Sequence, residues 1–304
     1  MRAVLLTLFA IVGLAGPAAA QESTPWTVGT AANDFGAGRD NYSYAATPGD
    51  RLEDGLVVTN PGPAPLELAV YSADAFTTGA GQLDLATREA KPTGVGSWVH
   101  TGLSQLTVQP GQSASVPFTI DIPADAPPGD HLGGIVTSLK QGDVERRVGL
   151  RIQLRVGGQL SPGVSLEGLK VEYSGGGDAT LTYTIHNTGN AVLAARQTAS
   201  VSGPFGIWRV PAEQLADSPQ LLPGETWKTS VPVHGVVPAV SLTGAVSLVP
   251  LLPDASGSIA PLSPVETMAD GWAVPWVPVG VLVVVGGLVV LLIVRRRVGA
   301  KISG

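Results

Sequence analysis

The sequence predicts an all-β fold of two tandem immunoglobulin-like β-sandwich domains, followed by one C-terminal transmembrane helix. Three observations predict it. Apolar and polar residues alternate with a period of two, Gly, Pro, Asn and Asp turns separate the alternating segments, and a long charge-free run lies near the C-terminus. Such alternation marks strands with one buried and one solvated face. Strands at this spacing are typical of antiparallel sandwiches.

Four segments show the alternation most clearly. The inward-facing sets that they predict are Val116, Phe118, Ile120 and Ile122; Val148, Leu150, Ile152, Leu154 and Val156; Leu181, Tyr183 and Ile185; and Trp227, Thr229, Val231 and Val233.

The strand-rich body also contains a loose internal repeat. Leu56 to Gly62 and Leu181 to Gly189 each read as a strand that ends in an Asn/Gly turn, where a positive φ costs little. Each is followed later by Pro-Gly ahead of another strand, at Pro110 and Pro223. The predicted organisation is a signal peptide (1–20), a first sandwich (21–157), a second sandwich (158–249), a Pro/Ser/Gly-rich stalk (250–271), a transmembrane helix (272–294) and a basic cytoplasmic tail (295–304).

The C-terminal run predicts a membrane anchor. Ala273 to Val294 contains no ionisable residue, and Arg295, Arg296 and Arg297 follow at once. About 20 apolar residues cross the hydrocarbon core of a bilayer, and arginines directly beyond such a span mark its cytoplasmic side. A buried core helix is the alternative, which the length and the three arginines disfavour. We therefore expect a single-pass protein of the cell membrane with an extracellular N-terminus.

The N-terminus predicts export. Arg2, the apolar stretch Val4 to Leu14 and the small residues Ala18 to Ala20 ahead of Gln21 form the pattern of a cleaved secretory signal. A retained N-terminal anchor is the alternative, and the shortness of the apolar stretch disfavours it.

Composition excludes several functional classes. Five of the 18 basic residues lie in the two terminal segments and none of the 24 acidic ones does, so the segment between them is more acidic than the formal charge of −6 for the whole chain. This balance argues against nucleic acid as a partner. The chain has no cysteine, which excludes cysteine catalysis, thiolate zinc sites and iron–sulfur clusters.

A series of short motifs runs through the first predicted domain. They are Tyr42-x-Tyr44-x3-Pro48-Gly49, Tyr71-Ser72-Ala73-Asp74-Ala75, Trp98, Val108-x-Pro110-Gly111 and Ile122-Pro123-x5-Gly129-x3-Gly133-Gly134-Ile135. In this order, over residues 41–156, they resemble the N-terminal peptidoglycan-binding domain of WxL-interacting proteins, surface proteins of Gram-positive bacteria. The resemblance implies that the first domain binds peptidoglycan and that another surface protein, of the WxL type, is a partner.

Three aromatic residues, Tyr42, Tyr44 and Trp98, are candidates for glycan contact because aromatic rings stack on sugars. Their alternative place is the core, where aromatic side chains of small sandwiches more often lie.

Arg147, Arg151 and Arg155 are the candidate anion-binding residues. A spacing of four on a strand places them on one face, about 13 Å apart. Guanidinium groups in such a stripe suit the phosphates of wall teichoic acid or the carboxylates of a partner protein. A solvated outer face without a ligand is the alternative.

Other polar and small residues predict no catalytic, cofactor or metal site. Gly133 and Gly134 indicate close backbone approach rather than a phosphate cradle, since no phosphate-loop lysine follows. Asp130 and His131 are adjacent, but no serine in a nucleophile elbow accompanies them. The chain is thus predicted to be a non-catalytic bacterial surface protein that binds the cell wall and a partner surface protein. A structural stalk or accessory subunit of a membrane complex, or a wall enzyme, is the alternative.

Overall fold

A computed structural model describes residues 25–253, 259–272, 280 and 283–292. These residues form an all-β protein with short helical pieces. The strands of the first domain are β1 (Thr27–Thr30), β2 (Tyr42–Ala46), β3 (Arg51–Thr59), β4 (Leu66–Thr77), β5 (Leu83–Leu85), β6 (Val99–Thr101), β7 (Gln105–Val108), β8 (Ser113–Asp121), β9 (Gly129–Gln141) and β10 (Val144–Val156). Those of the second are β11 (Val164–Gly175), β12 (Asp178–Asn187), β13 (Ala194–Ser202), β14 (Val210–Pro211), β15 (Thr226–His234), β16 (Ser241–Pro253), β17 (Ile259–Pro261) and β18 (Val265–Trp272). The helical pieces are α1 (Val95–Trp98), a 3₁₀ turn (Pro204–Gly206) and residues 280 and 283–292.

The first domain packs two sheets around one apolar core. One sheet has the order β1-β3-β8-β6, and the other has the order β2-β10-β9-β4-β5, with β7 also paired to β4. Val116 and Ile120 enter the core from the first sheet, and Ile152 and Leu154 enter it from the second; all four are fully buried. The alternation in the sequence predicted both sets correctly.

The second domain repeats this plan with a core of its own. Its sheets are β11-β12-β15 and β14-β13-β16-β17, and β18 also pairs with β16. Leu181, Tyr183 and Ile185 of β12 are buried as predicted. Trp227 of β15 is half-buried and packs against the same core.

The predicted stalk differs from the structure. Residues 265–272 form the edge strand β18, which pairs with β16 from Val265 opposite Leu248 to Trp272 opposite Ser241. Composition suggested a linker, yet side-chain exposure alternates along β18 with the period of a strand. At Gly271 a Cβ would lie 2.3 Å from the carbonyl oxygen of Val171 in β11, so glycine lets the two strands approach closely.

The predicted signal peptide (1–20) and basic tail (295–304) lie outside the described residues. Of the predicted span (272–294), Trp272 ends β18, residues 280 and 283–292 are helical, and the rest lies outside the described residues. Within the described part of the chain, no helix combines the length and the apolar character that crossing a membrane requires.

The glycine pair in β9 has the packing role that its sequence context predicted. A Cβ at Gly133 would lie 2.8 Å from both the carbonyl oxygen of Ala73 and the side chain of Val95 in α1. A Cβ at Gly134 would lie 2.5 Å from the carbonyl oxygen of Leu150 and 2.7 Å from Leu85. The two glycines therefore allow a helical turn and strand β5 to lie directly on β9.

Candidate functional site

Strand β10 presents Arg147, Arg151 and Arg155 on the outer face of its sheet, as their spacing predicts. Leu150, Ile152 and the other alternate residues point into the core. The surroundings of the three arginines differ, however, so they do not form one uniform stripe.

Arg155 is committed to an ion pair at the junction of the two domains. Its Nε and terminal nitrogen donate to the two carboxylate oxygens of Asp130 at 2.6 and 2.9 Å. The Asp130 side chain is 1% exposed and also accepts the backbone N–H of Val192 from the second domain at 2.9 Å. The hydrogen-bonded carboxylate raises the pKa of Arg155 above its ordinary value despite partial burial. Arg155 was predicted to bind an external anion, but its guanidinium already forms hydrogen bonds with the Asp130 carboxylate.

Arg147 is held at the edge of the first domain. Its guanidinium donates to the carbonyl oxygen of Leu85 at 3.2 Å and lies 3.7 Å from the Asp84 carboxylate. It therefore fixes β5 against β10, and its charge is partly balanced.

Arg151 is the least constrained of the three. It is half-buried, and within the described residues it makes no hydrogen bond and no ion pair. It lies between two clefts and lines both. The first, of about 370 Å³, is also lined by Asn41, Leu83, Asp84, Leu85, Val136, Arg147 and Gly149. The second, of about 280 Å³, is also lined by Ser43, Tyr44, Ala45, Asp130, Leu132, Gln153, Arg155, Val192, Gln220 and Pro253.

The second cleft lies between the two domains, and a set of contacts fixes its walls. The Glu225 carboxylate accepts the backbone N–H of Thr77 at 2.8 Å and the Thr77 hydroxyl at 2.5 Å. An apolar cluster, which includes Leu132 from the first domain and Val192 and Leu222 from the second, packs beside these contacts. These contacts hold the two walls of the second cleft together.

Tyr42 and Tyr44 were predicted to contact a glycan, and the structure places both in the core instead. Tyr42 is fully buried and donates its hydroxyl to the carbonyl oxygen of Gly55 at 2.7 Å. Tyr44 is 6% exposed and donates to Asp54 Oδ2 at 2.6 Å. Burial raises the pKa of both phenols well above the ordinary value. A buried ring offers no face to a sugar, so the glycan-contact prediction is wrong for these two residues.

Trp98 is half-buried at the end of α1, and its ring packs on His131 with centroids 4.9 Å apart. It keeps part of its surface open, so glycan contact by Trp98 stays a prediction. His131 also pairs its Nε2 with the carbonyl oxygen of Pro127 at 2.9 Å. Asp130 points to the opposite face of β9, because adjacent strand residues alternate, and the two do not form an acid–base pair.

Within the described residues, no group of three or more His, Asp or Glu side chains is arranged to hold a metal ion. The sequence did not reveal that Asp130 forms an ion pair with Arg155, nor that Val192 and Gln220 form a wall of the second cleft. No local sequence signal exists for the ion pair or for the wall, since both depend on how the two domains pack.

Comparison with known proteins yields no family model and no curated protein that matches the chain. Solved structures with limited likeness include the CupB2 chaperone of Pseudomonas aeruginosa (11% identity, 78% of this chain and 98% of that chain, TM-score 0.32). Another is the CsuC–CsuE chaperone–tip adhesion subunit pre-assembly complex of Acinetobacter baumannii (9%, 68% and 90%, TM-score 0.35). A family 123 glycoside hydrolase of Clostridium perfringens is a third (14%, 44% and 27%, TM-score 0.32), and the chain spans about a quarter of its length. Likeness at these scores carries no argument about this chain. The resemblance to WxL-interacting proteins therefore stays a prediction.

Proposed function

We propose that this chain is a membrane-anchored, non-catalytic binding protein of the bacterial cell surface, and that its first domain holds an anionic cell-wall polymer in the clefts beside Arg151. A partner surface protein binds along an open sheet edge of the same domain.

The observation that carries the proposal is the position of Arg151. A guanidinium offers five N–H donors in a planar fork that matches carboxylate and phosphate groups. Other arginines of the described chain that lie nearby, Arg147 and Arg155, already have acidic neighbours. Arg151 combines partial burial with an open donor set in a cleft of an acidic protein. Carboxylates of peptidoglycan stem peptides and phosphates of wall polymers carry the chemistry that this group binds.

The membrane anchor is supported by the C-terminal segment. Helical residues 283–292 are all apolar or glycine, and their large side chains, from Val283 to Leu292, are 48% to 69% exposed. A helix that is apolar on every face requires an apolar environment around it. A bilayer supplies that environment, and Arg295 to Arg297 follow in the sequence as a cytoplasmic signal.

Strand β2 supports the partner-protein part of the proposal. Within the described residues, β2 pairs with β10 on one side, and no strand pairs with its other side. Its Ser43 and Ala45 are exposed and line the interdomain cleft. An extended segment of another protein is able to add a strand at such an edge. The resemblance names a WxL-type surface protein as that partner.

The experiment that tests wall binding is co-sedimentation of the purified full-length protein with wall sacs, prepared with and without teichoic acid. We expect Arg151→Gln to weaken binding roughly tenfold at low salt, because it removes one charge-assisted contact. Arg196→Gln is the matched control: it removes the same charge from an exposed site in the second domain, where Asp217 lies 3.6 Å away.

Unchanged sedimentation of Arg151→Gln at low salt contradicts the proposed site. No sedimentation of the wild-type protein favours an accessory subunit of a membrane complex over a wall-binding protein. Release of soluble glycan fragments favours a wall enzyme.

A further inference from the structure

The second domain carries exposed apolar side chains at one end that are not buried in its core. Phe205 is fully exposed, Ile207 is 46% exposed and Trp208 is 55% exposed, all in the loop between β13 and β14. Val237 and Val240, in the loop between β15 and β16, are 41% and 61% exposed. These five residues are called the apolar tip below. Clustered exposed apolar side chains mark an interaction site more often than single ones do.

Two residues of the tip have a strained backbone. Phe205 has φ 60° and Trp208 has φ 52°, both in the left-handed region that bulky residues rarely adopt. The Gly203 amide donates to the carbonyl oxygen of Ile207 at 2.8 Å and closes the loop. A Cβ at Gly203 would lie 3.0 Å from the Trp208 ring. Backbone strain of this kind clusters in functional loops, and the fully exposed ring of Phe205 adds no packing to the domain.

The tip lies at the end of the domain from which the chain leaves toward its apolar C-terminal segment. Trp272, the last residue of β18, pairs with Ser241 at the start of β16, directly after Val240. Two residues along β16, Thr243 pairs with Ser202, the last residue of β13 before the tip. Two strand residues span roughly 7 Å. Both loops of the tip therefore emerge beside the exit of the chain.

The length of chain beyond β18 limits how far this end of the domain stands from the anchor. Eight residue steps separate Trp272 from the helical residue 280. A chain extends by at most about 3.6 Å per residue, so the separation is at most roughly 29 Å. The end of the second domain that bears the tip therefore lies within roughly 29 Å of residue 280.

We propose that the apolar tip inserts into the outer interface of the lipid bilayer beside the anchor. Trp favours this depth, because its ring is apolar and its N–H is polar. Phe205 and Ile207 contribute apolar area that the domain itself leaves in water. The contact holds the second domain on the membrane and turns the first domain, with Arg151, outward toward the wall. This inference rests on the membrane anchor of the proposed function.

The test uses the absence of cysteine from the chain. Single-cysteine variants of the full-length protein, Phe205→Cys, Val144→Cys and Leu288→Cys, are spin-labelled in phosphatidylcholine/phosphatidylglycerol nanodiscs. Accessibility to oxygen, which concentrates in lipid, is compared with accessibility to a water-soluble nickel chelate. Val144 is the matched control, because it is an exposed apolar residue (55%) at the hairpin of the first domain. Leu288→Cys reports on the anchor independently, and Ile207→Cys provides a second probe of the tip.

We expect a several-fold higher ratio of oxygen to nickel accessibility at 205 and 207 than at 144, together with a lipid-like ratio at 288. A water-like ratio at 205 and 207 with a lipid-like ratio at 288 overturns the tip proposal alone and leaves the anchor intact. Loss of accessibility to both reagents at 205 and 207 overturns it in favour of a protein interface. A water-like ratio at 288 overturns the anchor, and the tip proposal with it.

Discussion

The two domains share one structural element, a turn built around a buried asparagine. They differ in their other buried polar groups, which include charged side chains in the first domain and are neutral in the second. In the first domain, Asn60 Nδ2 donates to the carbonyl oxygens of Ala64 and Val108 at 2.8 and 3.0 Å. In the second, Asn187 Nδ2 donates to the carbonyl four residues ahead and to that of Leu221, both at 2.9 Å. Both asparagines are fully buried. The loose repeat in the sequence thus corresponds to one turn that both domains build in the same way.

The buried polar side chains of the first domain differ from those of the second. Asp54, whose side chain is 1% exposed, pairs with Arg39 at 2.8 Å and accepts the hydroxyl of Tyr44 at 2.6 Å. In the second domain the corresponding buried hydrogen bond is neutral: Tyr183 donates to Gln197 Oε1 at 2.6 Å. A buried charge is costly unless its partners remain in place. The first domain should therefore be the more sensitive of the two to loss of a single polar group.

The largest expected effect follows from Asp54→Asn. The substitution leaves Arg39 without its carboxylate and replaces one accepting oxygen with an amide NH2 that faces other hydrogen-bond donors, so we expect about 3 kcal/mol of lost stability. Hydrogen exchange of the full-length protein, read by mass spectrometry, should show the loss in β3 and leave β12 unchanged. Glu53→Gln is the control, because the adjacent Glu53 side chain is 76% exposed and its change should cost less than about 0.5 kcal/mol. Equal losses in the two variants would contradict a charged core.

The same pair of variants gives the dependence on pH. Desolvation raises the pKa of the Asp54 carboxyl, but hydrogen bonds from Arg39, Tyr44, the Gly55 amide and Asn33 together outweigh it and lower the pKa below the ordinary 3.8. A lowered folded-state pKa stabilises the fold above the unfolded value, and this contribution is lost as the pH falls through the folded value. Wild-type β3 should therefore lose protection below about pH 4, and the Asp54→Asn variant should lose less over the same interval.

An intermediate effect follows from the shared turn. Asn60→Ala and Asn187→Ala each remove two hydrogen bonds from a buried side-chain amide to backbone carbonyl oxygens, so we expect a loss of about 2 kcal/mol of stability in either case. Because the two turns match, the losses should be equal in size but confined to different domains, in β3 for the first variant and in β12 for the second. Asn41→Ala, at an exposed residue, is the control. A twofold difference between the stability losses of the two variants would mean that the turns share a geometry but differ in what they contribute to stability.

Sequence patterns predicted those features that depend on neighbouring residues. The period of two placed Val116, Ile152 and Leu181 in the cores, because strand geometry alone decides which side chains share a face. Features that depend on distant residues were missed. The hydroxyl of Tyr44 donates to Asp54 on β3, and no pattern within β2 indicates that partner.

The stalk prediction failed for a related reason. Proline, serine and glycine suggested a linker, but an edge strand needs only a partner strand, and β16 is that partner for β18.

The candidate site was predicted in part, since the spacing of the arginines indicated that they share one face of β10. Which of them is already paired depends on Asp130, which lies 25 residues from Arg155 in the sequence.

The smallest expected effect compares the buried phenols of the two domains. Tyr183→Phe removes a hydrogen bond between neutral groups and should cost about 1 kcal/mol of stability, whereas Tyr44→Phe removes a hydrogen bond to a carboxylate and should cost about twice as much.

Burial raises the pKa of Tyr183 to about 12. A raised folded-state pKa of an acid means that its stabilising contribution is present below the unfolded value near 10 and is lost as the pH rises through 12. Hydrogen exchange in β12 should therefore accelerate between pH 10 and 12 in the wild type, beyond the intrinsic rate, and less so in Tyr183→Phe. Since Tyr42 and Tyr44 are unchanged in that variant, β3 should respond to alkali as in the wild type, and a change in β3 would show that the domains do not unfold independently.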